Sequence, residues 1–281
     1  MNRHLPILAI PLFLAGAAFG QRLTPSSASA GPNGVYRGTA TFNPALFAPA
    51  SVVGAPYYGE HLNERVQTLA NGVHITQTNT TQKVWRDSQG RTRTERPMMG
   101  PQTSSPTIVE IVDPVAGYTY TLDTEKQVAH RVTLTAPPVR SQGGSLLRGT
   151  ISSTIPIAIG GTAAAVSQAA AAQRVRPEFT LEPLGTKTID GVEVEGTRQT
   201  SVYPTGSQNN DAPFSVVAET WRSQKLRLVV FSTTDDPRSG VNTQKIANIN
   251  EQEPDPTLFM VPPGYSTVDE TGQFTITWGG Q

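Results

Sequence analysis

The feature that most constrains this chain is a two-residue alternation of apolar and polar side chains, repeated in short segments from residue 63 almost to the end. Val73-His74-Ile75-Thr76-Gln77-Thr78 shows it plainly, after a turn at Ala70-Asn71-Gly72. A period of two is the mark of a strand with one buried face. The connections are short and carry turn chemistry. Segments 81–86 and 91–95 flank Asp87-Ser88-Gln89-Gly90, and segments 107–112 and 118–122 flank Asp113-Pro114-Val115-Ala116-Gly117. Segment 127–135 follows. Segments 186–189 and 192–195 meet across Asp190-Gly191, the strongest hairpin signal in the chain. Segments 215–221, 226–232 and 242–249 complete the series. Parallel neighbours need a long crossover, so hairpin-length connections imply antiparallel pairing. The expected fold is mainly β, a long antiparallel meander forming a curved sheet or half-barrel, with at most one or two short helices and a disordered leader.

The flanks of this pattern read differently. Residues 1–20 have the order of a signal peptide: a basic start at Arg3, an apolar run broken by Pro6 and Pro11, then Ala18-Phe19-Gly20 for a peptidase. The run is too short and too broken for a spanning helix, so no stable transmembrane anchor is expected after cleavage before Gln21, and the localisation expected is periplasmic or secreted. Residues 21–57, rich in Pro, Ala and Ser, read as a mobile leader. One β domain spans 58–268, interrupted at 136–178 by a linker-like insertion that has no charged side chain between Arg148 and Arg174, and an Ala-rich helix is expected near 162–173. In Glu253-Pro254-Asp255-Pro256 each proline lacks a ladder donor, so the chain should leave the sheet there and fold Leu258, Phe259 and Val261 back as an apolar plug. Residues 269–281 read as a C-terminal tail.

Several chemistries find no support. The chain has no cysteine, which removes thiol catalysis, thiolate metal sites and disulfides. Lys and Arg total 22 and Asp and Glu total 22, so no net field recruits nucleic acid. His61, His74 and His130 lack metal-ligand spacing, no nucleophile elbow or phosphate loop is present, and no catalytic residue, metal site or cofactor is assigned. Glu251, Glu253 and Asp255, with Asp235 and Asp236, read as solvated turns rather than a calcium loop. Arg86, Arg91, Arg93 and Arg96 read as a solvated strand face with cross-strand ion pairs.

Three stretches carry a resemblance: Val84-Trp85-Arg86-Asp87-Ser88-Gln89-Gly90-Arg91; Ile111-Val112-Asp113-Pro114 with Gly117-Tyr118 and Leu122-Asp123; and Glu219-Thr220-Trp221 together with the stretch from Glu253 to Phe259. They resemble a large group of secreted bacterial proteins without an assigned activity. Strand rhythm and the closing phrase Phe259-Met260-Val261-Pro262-Pro263-Gly264-Tyr265 are distantly similar to the lipoprotein-carrier (outer-membrane lipoprotein-sorting, LolA-like) superfamily. That similarity covers roughly 57–135 and 179–268, and it implies a strongly curved antiparallel sheet around an apolar cavity. It carries no site residue onto this chain.

The alternation itself supplies a candidate apolar face: Val84, Ile108, Ile111, Tyr118, Tyr120, Leu226, Leu228 and Val230, with few helical residues to cover them. An open concave face of this kind takes an apolar or lipid-like small molecule, whereas a closed barrel or sandwich would fill itself with its own side chains. The expected function is therefore that of an exported, non-enzymatic binding protein for such a molecule or for an envelope component. The alternative is a protein-interaction or sensor module of the envelope with an envelope protein as partner.

Overall fold

The computed structural model describes residues 22–30, 36–43, 51–78, 81–97, 106–134 and 177–279. The cleavage site before Gln21 and the segment 136–176 lie outside the described residues.

The main sheet contains two meanders joined side by side. One runs β10 (Glu178–Ile189), β11 (Val192–Tyr203), β12 (Phe214–Ser223), β13 (Leu228–Asp236) and β14 (Gly240–Asn250). β14 pairs antiparallel with β3 (Tyr57–Thr68), which opens the second. From there the order is β5 (Gln82–Arg86), β6 (Thr92–Pro97), β7 (Thr107–Asp113), β8 (Tyr118–Asp123) and β9 (Val128–Thr133). β4 (His74–Thr78) forms a side hairpin on β3. The sheet is antiparallel as expected, except at its far edge, where β15 (Ser266–Asp269) runs parallel to β9. Hairpin logic does not reach that pair, because β15 arrives from a distant part of the sequence. At Asp190-Gly191 both residues have positive φ, 50° and 80°, the backbone of a two-residue turn whose twist matches its strands.

Strand register assigns the side chains to two faces. Tyr58, Trp85, Arg93, Ile111, Tyr120 and Arg131 lie directly opposite one another across β3, β5, β6, β7, β8 and β9. The next row, Gly59, Val84, Thr94, Glu110, Thr121 and His130, points to the other side. On that second face Tyr57 and Val84 form one buried cluster with Val192, Val194, Trp221, Leu226 and Val230. A flat sheet would hold β5 and β11 about 24 Å apart, at roughly 4.8 Å per strand. Their side chains share a core, so the sheet curls and the Tyr57–Val84 face is concave there; Trp221 and Phe231, which the register places on the Tyr58 face, reach this core from the hairpin end. Its edges do not meet, and the sheet stays open rather than closing into a barrel.

A second sheet of three strands, β1 (Arg22–Ala30), β2 (Tyr36–Asn43) and β16 (Phe274–Trp278), packs against the far part of the concave face. Ala40, Phe42, Phe274, Ile276 and Trp278 are buried there against Ile108 and Val132. Within the stretches read from the sequence as leader and tail, 22–30 and 36–43 pair as strands, and 274–278 is the strand beside them. The convex face of β7–β9 is covered instead by the chain after β14. A short 3₁₀ turn, η1 (Pro256–Phe259), is capped by Asp255, whose carboxylate accepts from the Thr257 N–H. Phe259, 2% exposed, packs with Val109, Ile111, Leu122 and Ala129, while Leu258 and Val261 lie half-buried beside it. The plug sits where the Pro254-Asp255-Pro256 break directs it.

Candidate functional site

Two places on this framework combine apolar surface with access to solvent. The first is the hairpin end of β10–β13. Around the buried cluster of Trp221, Leu226 and Val230 stand five half-buried apolar side chains, Leu184, Ile189, Leu228, Phe231 and Ile249. The cluster rests on close approaches. A Cβ on Gly196 would come within 2.5 Å of the Trp221 ring, so only glycine leaves space for it. The Lys187 ammonium lies 3.6 Å from the centre of the same ring.

The eight alternation residues do not all share this place. Val84, Leu226, Leu228 and Val230 come together in the hairpin-end cluster. Ile108 shares the face of Val84 but lies under the small sheet. Ile111 and Tyr120 point to the convex face, where they pack beneath the plug. Tyr118 stands on that side too, two residues from Tyr120, with the Arg131 guanidinium 4.8 Å from its ring centre. Alternation alone could not divide them, because Ile108, Val109, Ile111 and Val112 are all buried in β7 and that strand is covered on both sides.

Between the two apolar clusters the concave face is polar. Thr94, Glu110, Thr119 and Thr121 are buried there. Arg96 Nη2 donates to Glu110 Oε2 at 3.3 Å, and Oε1 has no partner among the described residues. Burial raises the Glu110 pKa, and the nearby Arg96 offsets this only in part. His61, hydrogen-bonded to the Tyr57 hydroxyl at 3.3 Å, is pushed down to about 4 by burial, so its imidazole is neutral at pH 7.

The second place is a cleft of about 290 Å³ on the convex side, lined by Tyr58, Trp85, Asn250, Gln252, Glu253, Pro254, Asp255 and Leu258. Sequence reasoning missed it, since Tyr58 and Trp85 become neighbours only through the β3–β5 register, with ring centroids 5.0 Å apart.

The other candidates have structural partners. His130 Nδ1 lies 2.7 Å from Glu270 Oε1 and its ring stacks on Phe274, while His74 bonds the Thr68 hydroxyl. Asp236 holds Arg238, Glu251 holds Lys225, and among the described residues no three acidic or histidine side chains are placed to hold a metal ion. The arginine hairpin is corrected, since none of the four side chains is fully solvated. Arg91, Arg93 and Arg96 form ion pairs with Asp87, Glu95 and Glu110, but Arg86 is buried, donating to the Ala55 and Leu226 carbonyls at 2.8 and 2.6 Å. Among the described residues no helix is long and apolar enough to cross a membrane.

No family model matches the sequence, and no curated protein matches it. Among solved structures, the chain is similar to LprF from Mycobacterium bovis and to the Mycobacterium tuberculosis lipoprotein LppX. Each has 13% identity and a TM-score of 0.27, over 72% of this chain and 90% of the other.

Proposed function

We propose that this chain is an exported, non-enzymatic protein of the periplasm or extracellular space that binds an apolar or lipid-like molecule at the hairpin end of its curled sheet. The supporting observation is that half-buried Leu184, Ile189, Leu228, Phe231 and Ile249 pack against a buried apolar cluster at the hairpin end of an open, curled sheet. Such a rim offers an acyl chain apolar contact without demanding a polar partner. Hiding about 300 Å² at roughly 25 cal/mol per Å² gains around 7 kcal/mol before the costs of association, which leaves micromolar binding at best and suits a protein that must also release. The test is titration with an environment-sensitive fatty-acid probe. Probe fluorescence should rise with the native chain and fall at least about tenfold in affinity with Leu228→Lys, whose half-buried site tolerates a charged tip. A dark probe with an intact fold would defeat this reading. It would leave the second, a protein-interaction module, favoured by the edge strand β10, where Phe179 and Leu181 are 62% and 70% exposed.

A further inference from the structure

The convex cleft has a chemistry of its own. Its lining combines the Tyr58–Trp85 ring pair, Leu258 and Pro254 with the carboxylates of Glu253 and Asp255 and the amides of Asn250 and Gln252. Each carboxylate is fixed through one oxygen only. Glu253 Oε1 accepts from the Ser88 N–H and hydroxyl at 3.0 and 3.1 Å, and Asp255 Oδ1 accepts from the Thr257 N–H and hydroxyl at 2.8 and 2.7 Å. Glu253 Oε2 and Asp255 Oδ2 remain for a ligand. No cationic side chain lines the cleft, and the nearest arginine in register, Arg93, is engaged by Glu95 and by the Leu258 carbonyl. The lining is therefore both anionic and aromatic.

We infer that this cleft is a binding site for an organic ammonium group, best filled by a methylated one. A cation over Tyr and Trp faces is attracted by the ring quadrupoles, and two nearby carboxylates add to that attraction. A bare metal ion would find too few oxygens and two rings that cannot hydrate it, whereas a methylated ammonium presents its charge on a C–H surface that suits both. Anions are disfavoured by the carboxylates. The volume, about 290 Å³, is at the lower limit for small-molecule sites, so a single small group fits rather than an extended chain. Tyr58 and Trp85 face away from Tyr57 and Val84, and no residue lining this cleft belongs to the apolar rim or its buried cluster.

The protein reports on the site itself. Trp221 and Trp278 are buried, which leaves Trp85 as the half-buried indole at the ligand. Tetramethylammonium chloride, titrated into the full chain against sodium chloride at equal ionic strength, should change tryptophan emission saturably. Neopentyl alcohol, whose tert-butyl group has a similar shape without the charge, should not. Trp85→Leu should abolish the signal. The pair Glu253→Gln and Asp255→Asn keeps the oxygens that bind Ser88 and Thr257, and should weaken binding by about tenfold or more with the fold unchanged. Displacement of tetramethylammonium by phosphatidylcholine vesicles would identify a lipid headgroup as the source, and no displacement a free cation. An equal response to neopentyl alcohol, a response that never saturates, or full binding by the carboxamide pair would overturn the assignment. Each of these outcomes is separate from loss of the fatty-acid probe.

Discussion

His61 and Glu110 are ionisable residues of the concave face, and burial acts on them in opposite pH directions. His61 has a folded pKa of about 4, below its ordinary 6.5, so the unfolded chain binds the extra proton between these values. Stability is therefore full above pH 6.5 and is lost as pH falls towards 4, by up to about 3 kcal/mol. Urea denaturation from pH 7 to pH 4 should show this slope, and His61→Gln should flatten it. Glu110 behaves in the reverse sense. Its folded pKa is raised by burial, so the folded chain holds the proton more tightly and stability falls as pH rises above the ordinary carboxylate range. Glu110→Gln removes the buried charge and should raise the thermal midpoint at pH 8 more than at pH 5; an equal shift at both would show that the charge is not what costs stability there. Neither role was legible in the sequence. A lone His or Glu within an alternating strand looks the same whether its face is wet or covered, and only the small sheet and the curl decide which.

Among elements, the stretch after β14 and the small sheet differ in how much the sequence revealed. The plug was readable because two prolines remove ladder donors at fixed positions and an aromatic follows them. Phe259 at 2% exposure meets Val109, Ile111, Leu122 and Ala129, and the Arg91 guanidinium lies 5.1 Å from its ring centre. Phe259→Ala should cost about 3–5 kcal/mol, the transfer term plus the cavity term. An unchanged denaturation midpoint would show the segment to be a loose cover. The small sheet was obscured for two physical reasons. The inward positions of β2 include Gly38 and Ala40, too small to mark an apolar period, and only Phe42 stands out. β16 does alternate, as Phe274-Thr275-Ile276-Thr277-Trp278, but it follows the break that ends the main sheet, and its partner β2 lies at the other end of the chain. Local patterning identifies a strand and says nothing about a neighbour more than two hundred residues away. The same limit hid the β3–β14 join and the parallel edge at β15, whereas the hairpins at Asp87-Ser88-Gln89-Gly90, at Asp113 to Gly117 and at Asp190-Gly191 were legible.

At the scale of the whole molecule the curl is the property on which the proposed apolar site depends, and Arg86 is the residue that ties it. In a flat sheet β5 would lie about 14 Å from β13, more than an arginine side chain spans. Arg86 nevertheless donates to the Leu226 carbonyl in the β12–β13 turn at 2.6 Å, and to the Ala55 carbonyl at 2.8 Å, with its guanidinium 4.7 Å from the Tyr57 ring centre. A second tie acts at the same end: the Ile249 N–H donates to Asp190 Oδ2 at 2.6 Å, joining the β10–β11 turn to the end of β14. Replacing Arg86 by methionine keeps apolar volume but leaves two carbonyls without their charged donor, while also removing a cation that is costly to bury. These terms oppose one another, so the net loss of global stability should be modest, on the order of 2 kcal/mol. The local effect should be larger. Amide exchange should speed up across 222–230 and 55–58 while β7–β9, held by the small sheet and the plug, stay protected. Arg86→Lys should not restore protection, because one ammonium cannot reproduce the guanidinium fork that reaches both carbonyls. If Arg86→Met leaves exchange in 222–230 unchanged, the apolar cluster of Tyr57, Val84, Trp221 and Leu226 holds the curl unaided, and the apolar rim would survive without its polar tie.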